Sequence, residues 1–139
     1  NGQDFILSKE GKDDYYIEVK SRWSSADSVE MSPAQFNQAA TTPDRYALIG
    51  VNMLYFDQDK AMGDDILNVN DVINDIHVLD VIGYLEKELH KKTMDVFTRH
   101  SEDIHLDGMY KVRIPQIILK GGKSKKITDF LDMIKRYFA

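Results

Sequence analysis

Apolar and polar residues alternate along Tyr15 to Arg22 (YYIEVKSR), with Tyr15, Ile17 and Val19 on one side of an extended segment and Tyr16, Glu18 and Lys20 on the other. That period of two predicts a strand. Upstream, Asp4 to Lys9 (DFILSK) is also strand-like, and Glu10 to Asp14 (EGKDD) carries turn chemistry centred on Gly11, so the two segments predict a hairpin. Ser32 followed by Pro33 is an N-cap and first-turn pair, which predicts a helix from Pro33 to about Thr41 that ends near Pro43. Arg45 to Asn52 (RYALIGVN) reads as a mostly buried strand. The order strand, strand, helix, strand belongs to an α/β (α+β mixed) architecture and not to a bundle or a sandwich.

The pattern changes downstream. Met53 to Asp65 is rich in Gln, Asp, Lys and Gly and predicts an exposed connection. From Val69 to about Arg99, Val69, Val72, Ile73, Ile76, Leu79, Ile82, Leu85 and Leu89 recur at helical spacing, which predicts one long helix or two shorter ones, with Gly83 as a kink or break. Met109 to Leu119 (MYKVRIPQIIL) reads as another strand, and Pro115 places it at an edge or a bulge. Ile127, Phe130, Leu131, Ile134, Tyr137 and Phe138 share one face of a last helix that should pack on the rest or on a partner.

A length of 139 residues suits a single domain with one core. Residues 1–52 form the hairpin, helix and strand unit. Residues 53–139 add a helical extension, a strand and the C-terminal helix, which complete the domain or mediate partner contacts. Apolar residues at 42% and charged residues at 29% are ordinary for a globular chain. No apolar run is long enough to cross a bilayer and no leader precedes the first strand, so a cytoplasmic protein without membrane contact is expected. The absence of cysteine removes disulfides and thiolate metal sites. The chain starts at Asn1 without an initiator methionine and already in a strand, the mark of a piece of something larger. A net charge of −5 argues against a general polyanion binder, so any nucleic-acid surface must be local.

The hairpin carries the candidate chemistry. Phe5 and Leu7 share the core face of Tyr15 and Ile17 only in certain registers. A hairpin whose paired residue numbers sum to 22 is one of them, matching Phe5 with Ile17 and Leu7 with Tyr15 and closing a loop of Glu10, Gly11 and Lys12 that is common in length. Asp4 then lies opposite Glu18. Two carboxylates about 5 Å apart repel by roughly 3 kcal/mol at an effective dielectric near 20, so a compensating charge is required. Lys20 supplies one, and a Mg²⁺ ion would supply more with the oxygen ligands it prefers.

Asp4, thirteen residues, then Glu18-Val19-Lys20 is similar to the D…ExK signature of the PD-(D/E)xK, restriction-endonuclease-like nuclease superfamily. Gly2-Gln3-Asp4-Phe5, Tyr16-Ile17-Glu18-Val19-Lys20, the helix with Ala34 and Gln35, and Asp44-Arg45-Tyr46-Ala47-Leu48 more closely resemble the NO VEIN C-terminal domain family, which is assigned to that fold and often follows ATPase or helicase modules. The likeness covers about the first 52 residues.

The resemblance implies a central mixed sheet flanked by helices, and a Mg²⁺- or Mn²⁺-dependent nuclease that hydrolyses phosphodiesters, with DNA as substrate, as the C-terminal effector of a larger protein. It implies Asp4 and Glu18 as metal ligands with the Val19 carbonyl as a further oxygen, Lys20 as the group that orients or polarises the attacking water, and Gln35 as a polar residue beside the metal. The sequence departs from the pattern in having no proline before Asp4. The N-terminal helix of the fold, with the acidic residue it contributes, is also missing. The alternative is a catalytically inactive module of the same fold that uses residues 69–139 to bind a partner or form a homodimer.

Other signals are weaker. Gly122-Lys123-Ser124 within Lys120 to Lys126 (KGGKSKK) lacks the earlier glycine of a phosphate loop, because Ile117 stands there, and reads as a solvated basic loop. Asp57, Asp59 and Gly63 miss a calcium loop, with Met62 and Asn68 at the positions that need glycine and an acid. His77, His90, His100 and His105 show no ligand spacing. Trp23, just past the second strand, is expected to pack rather than to stack on a base.

Overall fold

Strand β1 (Phe5–Leu7) pairs antiparallel with β2 (Tyr15–Arg22) in the register that the alternation and the loop length predict, Phe5 with Ile17 and Leu7 with Tyr15. The turn between them closes with the Lys12 N–H donating to the Lys9 carbonyl at 3.0 Å, and Gly11 adopts φ +80°, a conformation that glycine enters without steric cost. The structure, a computed structural model, describes residues 3–22, 28–53, 73–85, 112–115 and 121–139.

Strand β3 (Ser28–Met31) leads into helix α1 (Pro33–Thr41), followed by a 3-10 turn at Pro43–Arg45 and strand β4 (Tyr46–Asn52). A second 3-10 turn at Ile73–Asp75 enters β5 (Ile76–Leu79). Strands β6 (Val112–Pro115) and β7 (Lys125–Lys126) and helix α2 (Ile127–Tyr137) complete the described elements. The main sheet has the order β1-β2-β4-β5-β7, with β2 and β4 parallel and the other neighbours antiparallel. A two-stranded sheet joins β3 to β6. The architecture is therefore a mixed α/β fold around a central five-stranded sheet with flanking helices.

Each face of the main sheet has its own core. On one face Tyr46, Leu48 and Leu79 pack with Phe36 and Ala39 of α1, Val29 and Met31 of β3, Ile114 of β6 and Ile82. On the other, Tyr15, Ile17, Ala47 and Val78 receive Phe130 of α2. Tyr15 meets Phe130 with ring centroids 5.8 Å apart and Tyr137 at 6.0 Å. Covering both faces explains why β4 is a nearly continuous apolar run. The hairpin loop is held from two sides, since the Tyr137 hydroxyl donates to the Asp13 carbonyl and Arg45 donates to the Asp14 carbonyl, each at 2.8 Å.

Four expectations need correction. Helical spacing across Val69–Arg99 fails at Ile76–Leu79, which forms a strand because β4 offers an open edge to the pairs Ile49–Val78 and Val51–Ile76. Phe5 has the predicted partner but is 56% exposed, since β1 is the rim of the sheet. Leu131, assigned to the packed face of the last helix, is 48% exposed, and Met133 packs in the core in its stead. Gly83 is a point of contact and not a break: residues 82–85 are helical, and a Cβ on Gly83 would stand 2.1 Å from the Ala39 carbonyl oxygen of α1. Trp23, His90, His100, His105, Asp57, Asp59, Gly63 and Lys120 lie outside the described residues, as do nearly all of the 53–65 connection and the remainder of the 69–99 and 109–119 segments. Among the described residues, no helix is long and apolar enough to cross a membrane.

Candidate active site

Even-numbered residues of β2 leave the sheet on the α1 face, and this brings Glu18 beneath the first turn of that helix. Glu18 is only 3% exposed. A carboxylate so placed must be hydrogen-bonded or else bind a proton or a cation. Its Oε1 accepts from Gln35 Nε2 at 2.7 Å and lies 3.3 Å from Lys20 Nζ. Its Oε2 is buried and has no partner among the described residues.

The orientation of Gln35 follows from the way α1 begins. Pro33 at the first helical position and Ser32 at the N-cap set up a capping box: the Gln35 N–H donates to Ser32 Oγ at 3.2 Å, and the Ser32 N–H donates to Gln35 Oε1 at 2.9 Å. With the amide oxygen turned to the cap, the amide nitrogen faces Glu18. One side chain thus finishes the helix and holds the buried acid.

Asp4 reaches the same point from the edge. Its N–H donates to the Ile17 carbonyl at 3.1 Å, and its Oδ2 accepts the Val19 N–H at 2.8 Å, so it bridges the residues on both sides of Glu18. The N–H and C=O of one residue leave an extended strand on the same side, which directs the Val19 carbonyl toward the Asp4 edge, past the end of β1. Burial, first of all, raises the Glu18 pKa; the Lys20 hydrogen bond opposes the shift and the Asp4 charge adds to it.

Asp4, Glu18, Lys20 and Gln35 are therefore together in space, with Val19 between the two acids. Two carboxylates and a backbone carbonyl are hard oxygen donors of the kind Mg²⁺ takes alongside water and phosphate oxygens, and Oε2 of Glu18 is an acceptor with no partner among the described residues. These residues fit such an ion. Among the described residues, no group of three or more His, Cys, Asp or Glu forms a metal cluster.

Residues 1–62 match the family model described as Protein NO VEIN, C-terminal. The matched span runs from before Asp4 to beyond β4, so all four clustered side chains fall within the NO VEIN C-terminal likeness. No curated protein and no solved structure matches the chain.

The remaining signals behave as structure. His77 lies opposite Gly50, itself opposite Lys20, which puts two strand spacings, about 10 Å, between the His77 and Lys20 backbones. Ser124 donates to the Gly121 carbonyl at 2.9 Å within the basic loop, and Lys125 pairs with Asp80 at 2.5 Å, which ties the loop to the end of β5. Tyr46 is the residue that the sequence reading passes over. Its ring is fully buried on the Glu18 face and its hydroxyl has no partner among the described residues. Parity along β4, which groups Tyr46 with Leu48 and Gly50, is the signal that could have found it.

Proposed function

We propose that this domain is a metal-dependent nuclease of the restriction-endonuclease-like type, hydrolysing phosphodiester bonds with DNA as its substrate. The observation that carries this reading is the convergence of Asp4 and Glu18, with Lys20 Nζ 3.3 Å from Glu18 Oε1. Mg²⁺ or Mn²⁺ held there by Asp4, Glu18 and the Val19 carbonyl would polarise a phosphoryl oxygen and lower the pKa of a bound water. Lys20 offers an ammonium group to orient that water and to oppose the charge that builds on the phosphate. Gln35 keeps Glu18 facing the site, and the Val19 N–H does the same for Asp4.

A second reading, an inactive module with the same fold, is favoured by the lack of a third acidic ligand among the described residues and by the net charge of −5. One experiment separates the two. Calorimetric titration with Mn²⁺ is combined with a DNA cleavage assay on the wild type and on Lys20→Ala. The nuclease reading expects a binding isotherm and cleavage that falls about a hundredfold or more in Lys20→Ala with the circular dichroism spectrum unchanged. An absence of Mn²⁺ binding and of cleavage leaves the inactive module, whereas equal cleavage by both proteins removes the role given to Lys20.

A further inference from the structure

Two polar atoms are buried without partners among the described residues, Glu18 Oε2 and the Tyr46 hydroxyl. They are on one face of the sheet: Tyr46 is paired in parallel with Tyr16, and the next residue but one, Leu48, is paired with Glu18. Diagonal neighbours on adjacent strands stand about 7–8 Å apart at the backbone, within reach of a tyrosine and a glutamate. Their chemistry is complementary, because a carboxylate oxygen only accepts and a phenol donates. Two such groups left separately unmet would each carry a desolvation cost that native interiors avoid.

We propose that Tyr46 is a positioning residue of the Glu18 site, its hydroxyl donating to Glu18 Oε2 through one enclosed water and so fixing the carboxylate against the cation that the proposed function places there. The inference deepens that function and rests on it for the identity of the cation. The Glu18 carboxylate is then held at both oxygens, by Gln35 and Lys20 at Oε1 and by Tyr46 at Oε2. Burial in the first place, then the Glu18 and Asp4 charges, push the Tyr46 pKa up, and the phenol remains a donor at neutral pH. Tyr46 does not touch the substrate in this arrangement; it acts by orienting Glu18.

The test is a double-mutant cycle of Tyr46→Phe and Glu18→Gln, read by thermal melting of the chelator-treated protein and by Mn²⁺ titration, with Tyr16→Phe as a control on the same face. Tyr46→Phe is expected to lower the melting temperature of the wild type, and to do so by roughly half as much or less in the Glu18→Gln background, because coupled neighbours are not additive. Loss of an outer-shell hydrogen bond should weaken Mn²⁺ binding about tenfold, whereas Tyr16→Phe leaves it unchanged. Equal melting shifts in both backgrounds overturn the proposal, and so does full Mn²⁺ affinity in Tyr46→Phe. A wild type that binds no Mn²⁺ removes the proposed function and not this inference, since the metal-free cycle still decides whether Tyr46 and Glu18 are coupled.

Discussion

Gln35 Nε2 donates to Glu18 Oε1 at 2.7 Å while Gln35 Oε1 accepts the Ser32 N–H at 2.9 Å, so one amide couples the start of α1 to the buried acid of β2. Because the helix cap fixes the amide, Glu18 faces a donor whose position does not depend on ligand. The site is organised by local helix chemistry as much as by the sheet.

That coupling can be divided by mutation. Ser32→Ala removes the cap acceptor and should cost about 1 kcal/mol, the usual value of an N-cap. Gln35→Ala loses its half of the capping box and also the Glu18 contact, and should cost more than Ser32→Ala in urea melts. It should also reduce Mn²⁺ affinity about tenfold, as expected for an outer-shell partner. Equal effects of the two variants on metal affinity would show that Gln35 acts through the helix alone.

The pH dependence has a definite sign. Glu18 titrates above its ordinary value of 4.5, chiefly because it is buried. Between that value and the folded-state value the native protein binds more protons than the unfolded chain, so this group lowers stability as pH rises through the window. Glu18→Gln keeps the shape and removes the ionisation. In chelator, its urea midpoint should gain on the wild type as pH rises above 4.5, level off once Glu18 is ionised in the folded protein, and converge with the wild type in acid. A wild type that gains on the variant with rising pH would reverse the assignment.

Gly83 permits the contact between residues 82–85 and α1. A methyl group there would meet the Ala39 carbonyl oxygen at 2.1 Å and the Pro43 Cα at 2.8 Å, both backbone atoms that cannot rotate away. Gly83→Ala should therefore destabilise by about 2 kcal/mol or more, against the small gain that alanine brings to an unobstructed helix. Guanidinium denaturation measures it.

Helix α2 presents two adjacent residues with opposite roles. Phe130 is buried against Tyr15, and Phe130→Ala should cost about 3–5 kcal/mol through lost burial and the cavity left behind. Leu131 is half exposed, and Leu131→Ala should remain within about 0.5 kcal/mol of the wild type. Comparable losses in both would place the helix in a different rotation.

Much of the first third of the domain is legible because local rules agree there. The parity of YYIEVKSR, the glycine turn and the matching parity of DFIL narrow the hairpin to a few registers, and the one with a common loop length, which the structure adopts, places Asp4 beside Glu18. The Ser32-Pro33 start of α1 is equally local. Strands β3 and β7 escape notice for the opposite reason. SVEM is short and half polar, and two lysines have no apolar signal at all; each becomes a strand only because another edge pairs with it. Ile76–Leu79 fits a helical period as well as a strand, and only the free edge of β4 distinguishes them.

The chain by itself determines the hairpin, the parity of its register, the capped helix and the acid-acid-lysine spacing, since each depends on residues near in sequence and on backbone periodicity. The tertiary structure decides how deeply Glu18 is buried, that Gln35 faces it, that Tyr46 is buried on the same side of the sheet, that Phe5 lies on an open rim, and that Gly83 meets Ala39. Those are contacts between elements, and they follow from which surfaces pack together, a choice that no local pattern of apolar and polar residues encodes.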